Sequence, residues 1–488
     1  MLALVSSEWV SHGPVRQVEK ATAPGSAALT PALISERSIA VLPFVDLSEK
    51  KDQEYFAEGI AEEIINLLVK VPNLKVVGRA SSFSYKGRGD DWRAIAAGLG
   101  AAYVAEGSVR RSGDHVRITA QLIDTRDGAH RWSETYDRAV NDVLQVQAEI
   151  AASLVRGLQL EVAPSLLSQW AASTHKSEAY DLYLRAQHAI YRFDERGLQE
   201  AEADLHRALD IDSAFVPAAE TLAATEFDLA EMGYVPPTTG YERARAAAVA
   251  ALKLEPKSGL AHAVLGAVQF QYDWDWSAAE AEFKIAAALA PRNPFVLIEA
   301  ATERTSVGDW SGALQYLNSV NSADPLDAAT YTALSNVYMH LDRPAETESA
   351  ARRALEISPT YSGAHGVLGE ILLLEGRVGD AMSEFRIDNP NETPTPHLVA
   401  AYWAEHRMKE SDAILARLML LPRDATSPTA VAGAFAYRGE KRRALARLEQ
   451  AYARHDSRLY WIRGELLLRN VEGESEYAAI LRKMKLLQ

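Results

Sequence analysis

The sequence contains no cysteine among its 488 residues. Without thiols the chain forms no disulfide, no iron–sulfur cluster and no cysteine-ligated zinc site, and it has no thiolate nucleophile. Its 12 histidines do not compensate as metal ligands, because none stands in His-x-x-x-His or His-Glu-x-x-His spacing. We therefore expect no metal site and no cofactor.

Long hydrophobic runs are also missing. The apolar stretch Leu2–Val5 is followed directly by Ser6, Ser7 and Glu8, far short of the roughly 20 apolar residues that span a bilayer. It also lacks the basic residue that precedes the apolar part of a signal peptide. As written, the sequence predicts a cytoplasmic protein. The alternative is that Leu2–Val10 are the tail of a truncated membrane helix, so that the rest is anchored at the inner membrane and lies in the periplasm.

Basic residues are scarce relative to acidic ones. The chain has 51 Lys and Arg against 66 Asp and Glu, which gives a net charge of −15. A chain with a net negative charge is repelled by polyphosphate backbones, so direct nucleic-acid binding is disfavoured. Only the C-terminal part, residues 438–488, carries more basic than acidic side chains, 12 against 7.

Residues 38–162 predict a compact α/β domain. A short apolar run at 38–44 is typical of a strand buried on both faces, and residues 53–71 have the apolar period of a helix. Residues 115–124 alternate cleanly between apolar and polar, as strands do. The predicted order is β-α-β-α-β-β-β-α. Residues 1–37, rich in proline and small residues, predict a flexible linker.

From about residue 175 to residue 488 the sequence is helical and repetitive. Prolines recur at Pro256, Pro291, Pro325 and Pro359, with spacings of 35, 34 and 34 residues, and small or apolar residues recur five and eight positions before each. Small residues let helices approach closely, and proline ends the second helix of each unit. The pattern indicates an all-α tetratricopeptide solenoid of about eight repeats. The predicted fold class is α+β overall, an α/β domain followed by this solenoid.

Several stretches carry a family resemblance: SIAVLPF, YFAEGIAEEI, GRASSFSYKG and EGSVRRSGDHVRITAQLIDTRDGAHRWSETYDR. They resemble the TolB-like amino-terminal domain that precedes tetratricopeptide arrays in bacterial regulators. The repeats, with YDWDW at 272–276, resemble the array of the same family. In that family the pair is joined to a winged-helix DNA-binding domain or a class III adenylate cyclase domain. This sequence has neither effector, so the resemblance implies neither DNA binding nor cyclase activity here.

No residue set in the sequence predicts catalysis. Glu62 and Glu63 are adjacent, as are Asp90 and Asp91, and adjacent side chains on a helix point in different directions and cannot share a proton. No hydroxyl stands at a recognisable spacing from a histidine and an acid. We expect a protein that is not an enzyme.

Two pairs of residues recur or cluster within the repeats. His262 and His365 occupy the same repeat position, three residues before a Leu-Gly pair, which favours a packing role. Trp274 and Trp276 are either a ligand platform or the cap of an inter-helix turn, and we favour the cap.

The first helices of stacked repeats line a concave groove. Repeat positions 2, 5, 9 and 12 predict that this groove is mostly apolar, which suits an extended peptide or an amphipathic helix. Arrays that grip a terminal carboxylate use Lys, Arg and Asn there, whereas here only Asn336 fits. Glu299 and Glu370 have the wrong sign. The candidate partner-groove residues are Phe270, Phe295, Ile298, Thr302, Thr332, Asn336, Met339 and Glu370.

Together these patterns predict a non-enzymatic scaffold that binds a protein or peptide in the groove. The alternative is the sensor or regulatory portion of a membrane-anchored transcriptional regulator or adenylate cyclase whose effector domain is missing from this chain. The basic end, with Arg442, Arg443, Lys483 and Lys485, is expected to cap the array. It is also a candidate for docking an acidic partner, including a second copy of the chain.

Overall fold

The computed structural model describes residues 35–87, 92–161, 163, 176–192, 194–359, 361–389, 393–421 and 427–487. Within them a small mixed α/β unit is followed by a long series of helix pairs, which confirms the predicted fold class. The linker predicted for residues 1–37 and the alternative for Leu2–Val10 fall on residues that lie almost wholly outside the described ranges.

One mixed sheet forms the centre of the N-terminal unit. Its strands are β1 (Ser38–Val41), β2 (Val45–Asp46), β3 (Lys75–Val76), β4 (Tyr103–Ser112), β5 (His115–Asp124) and β6 (His130–Ala139). The order across the sheet is β3-β1-β4-β5-β6, with β2 paired beside β4. Strand β1 pairs in parallel with both β3 and β4, and β2 pairs in parallel with β4. Strands β4, β5 and β6 form an antiparallel meander.

Helices cover both faces of the part of the sheet around β1. The helices are α1 (Glu54–Val69), α2 (Arg79–Phe83), α3 (Trp92–Leu99) and α4 (Val143–Gly157). Ile39 and Val41 of β1 pack in the core that contains α1 and α4, while Ala40 and Leu42 pack with residues of α3. The strand is therefore buried on both faces, as its continuous apolar run predicts.

Two short elements, β2 and α2, add to the predicted order. Pro43 has no N–H to donate to the sheet, so β1 ends before it and the chain pairs again with β4 only at Val45. Helix α2 lies within the stretch GRASSFSYKG of the family resemblance.

Eight helix pairs follow in the part of the chain that the structure describes. They are α5 (Ser177–Ile190) with α6 (Glu195–Ile211), α7 (Val216–Glu231) with α8 (Pro237–Leu254), α9 (Gly259–Val268) with α10 (Trp276–Leu289), α11 (Pro294–Val307) with α12 (Trp310–Ala323), α13 (Ala328–His340) with α14 (Pro344–Ile357), α15 (Ser362–Leu374) with α16 (Val378–Asp388), α17 (Pro396–Ala404) with α18 (Met408–Leu420), and α19 (Pro428–Tyr437) with α20 (Lys441–Ala453). A π-helical turn (Gln269–Asp273) extends α9, and the chain ends with two 3-10 turns (Ser457–Trp461 and Leu466–Val471) and α21 (Ser475–Lys483).

The recurring residues act as their spacing predicts. Each of the four in-phase prolines stands two residues after the end of a second helix: α8, α10, α12 or α14. Gly369 of α15 lies against the ring of Phe385 in α16, where a Cβ atom would approach ring carbons to 2.4 Å. Small residues therefore stand where two helices cross most closely.

The segment 233–240 combines a turn with the start of a helix. Gly233 has a φ of +73° in the turn after α7, but Pro237–Gly240 form the first turn of α8, which has 18 residues. Proline suits this position because its missing N–H is not needed in the first helical turn.

Gly369→Ala is expected to destabilise the array by about 1–3 kcal/mol, because the added methyl group collides with the Phe385 ring. Gly379→Ala in the next helix is the control, since nothing lies within 4 Å of its Cβ position and alanine favours helix. Urea unfolding followed by circular dichroism measures both. Equal midpoints for the two variants would contradict the packing argument.

Candidate partner-binding cavity

The last residues of the chain, 457–487, lie across part of the concave face and are called the C-terminal segment here. Trp276 Nε1 donates a hydrogen bond to the carbonyl oxygen of Met484 at 2.6 Å. Arg469 Nη2 donates to the carbonyl oxygen of Met339 at 3.2 Å. The basic end thus contacts repeats in the middle of the array as well as the last one.

Aromatic side chains hold this part of the chain in place. Trp274 stacks on Tyr452 and His455, with ring centroids 5.5 and 3.9 Å apart. The Phe270 ring meets the edge of Tyr460 at 5.3 Å. Trp274 therefore packs in a contact between distant parts of the same chain.

This arrangement corrects the expectation for two groove residues. Phe270 is fully buried, and Met339 is 8% exposed. Phe270 lies in the π-helical turn and packs against Tyr460 of the C-terminal segment, and Met339 packs in one cluster with Leu466 and Leu467 of that segment. Neither residue therefore lines an open groove.

Two of the basic residues expected to be available for an acidic partner are paired within the chain. Arg443 Nη1 lies 2.5 Å from Glu440, and its guanidinium stands 4.1 Å over the Phe435 ring. Lys483 Nζ lies 2.6 Å from Glu449. These contacts reduce the charge that the end of the chain offers to another molecule.

The N-terminal unit shares one hydrophobic core with α5, α6 and α7, and its helix α2 adds a second contact at the end of α12. The Asp324 carboxylate at the end of α12 accepts the N–H groups of Ala80 at 3.1 Å and Ser81 at 2.7 Å, and also the Ser81 hydroxyl. The N–H of Gly78 donates to the carbonyl oxygen of Ala323 at 2.8 Å. A Cβ at position 78 would lie 2.3 Å from Asp324, so the contact needs glycine.

A cavity of about 2150 Å³ lies between the N-terminal unit, the first helices of the array and the C-terminal segment. Six of the eight candidate groove residues line it: Phe295, Ile298, Thr302, Thr332, Asn336 and Glu370. The helices α11, α13 and α15 bring these residues together, because each is the first helix of its pair and turns the equivalent face toward the cavity.

Three threonine hydroxyls in this cavity donate hydrogen bonds within their own helices. Thr302 Oγ1 donates to the carbonyl oxygen of Ile298 at 3.0 Å, and Thr305 and Thr332 make the equivalent bond at 2.9 Å. The hydrogen of each of these hydroxyls is therefore bonded to a backbone carbonyl oxygen of the same helix.

Three carboxyl side chains lie near one another at one end of the cavity, and of these only Glu299 is recognisable in the sequence as a groove residue. Asp228 and Glu231 come from α7, and Glu299 comes from α11. Gln271 Nε2 lies 3.2 Å from both Glu231 and Glu299, and Tyr241 donates to Gln271 Oε1 at 2.9 Å. Burial raises the pKa of Asp228 and Glu299, and repulsion from neighbouring carboxylates raises it further, whereas Glu231 is exposed to solvent.

A second cluster of ionisable side chains in the cavity includes Glu370, one of the candidate groove residues. Glu370 accepts a hydrogen bond from His397 Nε2 at 2.5 Å. Burial opposes charge on His397, but the Glu370 carboxylate outweighs it and raises the pKa of the imidazole. Burial and then repulsion from Glu370 raise the pKa of Glu465 to about 7.

His262 and His365 have the packing role that their shared repeat position predicts. The Nδ1 atoms lie 2.6 Å from Glu282 and 2.6 Å from Glu384, each on the second helix of the same pair. The Nε2 atoms lie 3.3 and 2.9 Å from the carbonyl oxygens of Pro256 and Pro359. Each histidine thus ties one helix pair to the preceding turn.

Glu202, His206 and Glu226 bring potential ligand atoms within 4.8 Å of one another. The guanidinium of Arg243 already lies between the two carboxylates, in contact with Glu202 and 2.5 Å from Glu226. An arginine therefore occupies the place that a metal ion would take.

Comparison with known proteins yields partial matches. No protein-family model matches the chain. A protein of Rhizobium meliloti (strain 1021) named putative adenylate cyclase 3 is 42% identical over 201 residues, which cover 40% of this chain and 34% of that protein. The chain therefore spans about a third of that relative's length.

Among solved structures, a tetratricopeptide repeat protein of Parabacteroides merdae ATCC 43184 is 16% identical with a TM-score of 0.35, and the match covers 51% of this chain and 99% of that one. PilF of Pseudomonas aeruginosa is 18% identical with a TM-score of 0.33, over 40% and 91%. YrrB, described as a tetratricopeptide protein with an unusual peptide-binding site, is 14% identical with a TM-score of 0.28, over 41% and 96%.

Within the described residues, no helix has the length and apolar character required to cross a bilayer.

Asp324→Ala is expected to release α2 from the array, so that the amides of Ala80 and Ser81 exchange faster with solvent. The control is Asp309→Ala, which removes the N-terminal cap of the same helix α12 but makes no contact with the N-terminal unit. Hydrogen–deuterium exchange with peptide resolution at 78–85 measures the effect. Unchanged exchange in the Asp324 variant would contradict the docking role.

Proposed function

We propose that this chain is a non-enzymatic scaffold that binds a segment of a protein partner in the cavity between the N-terminal unit and the array. The single observation that carries the proposal is the cavity itself, with six side chains from the inner faces of three first helices on its wall. Its volume of about 2150 Å³ exceeds the roughly 300–1,000 Å³ of typical small-molecule pockets. A peptide segment matches this size.

The character of the wall supports a peptide rather than a reacting small molecule. Phe295 and Ile298 offer apolar surface, while Asn336 offers both a donor and an acceptor that the described residues leave unused. Peptides that bind in grooves use this combination of apolar pockets and scattered polar anchors.

A second candidate is that the chain is the regulatory portion of a signalling protein. The observation that favours it is the 42% identity with a protein named putative adenylate cyclase 3. The likeness of residues 38–162 to a TolB-like domain agrees with this candidate. In that case the cavity would serve the regulation of an effector outside this chain, and an anchored periplasmic location would be the alternative to the cytoplasm.

Asn336→Trp is expected to weaken peptide binding, since the indole would project into the cavity between α11 and α15 and obstruct the peptide. Peptides selected from a random displayed library against the wild-type chain are the probe, and fluorescence anisotropy measures their affinity. The control is Asn318→Trp, at an exposed position of α12 outside the cavity. We expect at least roughly tenfold weaker binding for the first variant. Equal binding to both variants, or no selectable peptide, would contradict the proposal.

The intact mass of the native protein, isolated from soluble and membrane fractions of its own cells, separates the two candidates. A mass of 53.4 kDa in the soluble fraction is expected for the free-standing scaffold. A clearly larger mass in the membrane would favour the regulatory portion of an anchored protein.

A further inference from the structure

Carboxyl side chains outnumber basic side chains on the walls of the cavity. Thirteen Asp and Glu residues line it, against five Lys and Arg residues. Among these five, Arg79 is bonded to Glu62 at 2.9 Å and Arg292 donates to the carbonyl oxygen of Leu74. A molecule that enters the cavity therefore meets a negative potential, which the low-dielectric walls strengthen.

The carboxyls of Asp228, Glu231 and Glu299 are short of hydrogen-bond donors. Among the described residues, the amide of Gln271 is the one donor to Glu231 and Glu299, and Asp228 has none. Glu299 is only 7% exposed and lines the cavity, yet its Oε1 atom has no partner in the described structure. Ionised carboxylates accept about four hydrogen bonds. The unused acceptors of this group thus face the cavity.

Arg458, a cationic side chain near these carboxyls, does not pair with them. Arg458 of the C-terminal segment lines the same cavity and stabilises the charged form of Glu231 through space. It forms no ion pair with any of the three carboxyls in the described structure. The group therefore has a cation in its vicinity and none in contact.

Aromatic rings border the same group. Phe295 is one helical turn before Glu299, and Tyr460 lines the cavity from the C-terminal segment. The pKa of Tyr460 is raised by burial and by its proximity to Glu231 and Glu299. Aromatic faces next to carboxylates suit an organic cation on a methylene stem better than a bare metal ion.

We infer that the cavity binds a Lys- or Arg-bearing segment of a protein partner and seats its cationic side chain against Asp228, Glu231 and Glu299. The inference rests on the proposed function and deepens it by naming the chemistry of the partner. Charge complementarity selects this occupant, and the size of the cavity matches a peptide rather than a single amine.

The test compares two fluorescein-labelled nonapeptides, one alternating Lys and Gly and one alternating Ser and Gly, by fluorescence anisotropy. The variant is the double substitution Asp228→Asn with Glu299→Gln, which keeps shape and removes charge. The matched control is Glu178→Gln with Asp210→Asn, two exposed carboxyls outside the cavity. Both doubles carry the same net charge, and circular dichroism checks that they are folded. Glu231→Gln is a second, single variant should the double fail to fold.

We expect the lysine peptide to bind the wild-type chain at least roughly tenfold more tightly than the serine peptide, and more weakly as salt is raised. The cavity double should lose that preference, while the control double keeps it. Equal losses in the two doubles would overturn the inference, and so would equal binding of the two peptides. Spermine that binds as tightly as the lysine peptide and displaces it would also overturn it, in favour of a free polyamine.

Failure of this inference is distinguishable from failure of the proposed function. Selected peptides without Lys or Arg that bind the wild-type chain and lose affinity in Asn336→Trp would overturn the cationic partner and leave the scaffold in place. The absence of any peptide whose binding Asn336→Trp weakens would overturn both.

Discussion

The N-terminal unit and the first repeats share one hydrophobic core, which extends from Ile39 of β1 to Leu222 of α7, and the position of the unit on the array depends on this core. The carboxylate of Asp324 adds a polar contact, because it accepts two N–H groups from the start of α2. Burial raises the pKa of Asp324, whereas the hydrogen bonds from Ser81 and Ala80 oppose that rise by stabilising the charge. Gly78 permits the close approach. The first helices of the array face the N-terminal unit across the concave surface. The docked unit therefore closes one side of this surface and makes it a cavity.

The C-terminal segment limits the same cavity from the other side. A solenoid must cover the apolar faces of its terminal repeats, and this chain covers them with its own last residues rather than with one polar helix. Because those residues continue inward to Met339 and Trp276, they also occupy part of the concave face. The remaining open part is the region between α7, α11, α13 and α15, where the carboxyls collect.

The helix pairs were predictable from sequence because their determinants are local. A proline two residues beyond a helix, or a glycine facing an aromatic ring, acts within one repeat and recurs with it. The contacts that shape the cavity join residues far apart, such as Trp276 with Met484 and Ser81 with Asp324, and neither pair has a periodic signal. Asp324, which directly precedes an in-phase proline, has the sequence context of an ordinary turn residue. The π-helical turn after α9 also shifts the helical phase, which buries Phe270 and directs Gln271 toward Glu231 and Glu299.

Charge on Asp228 and Glu299 is disfavoured in the empty cavity, where the two carboxyls stand near each other and near the exposed Glu231. The amide of Gln271 donates to Glu231 and Glu299 but not to Asp228, and burial and repulsion raise the pKa of both Asp228 and Glu299. A fold selected for stability alone would place apolar or amide side chains there, since replacement of buried charge by neutral groups is often neutral or favourable. Perturbed ionisable groups of this kind concentrate at functional sites. A cation in contact with the three carboxyls would relieve the repulsion between them, and this relief would add to the affinity of the cavity for a cationic ligand.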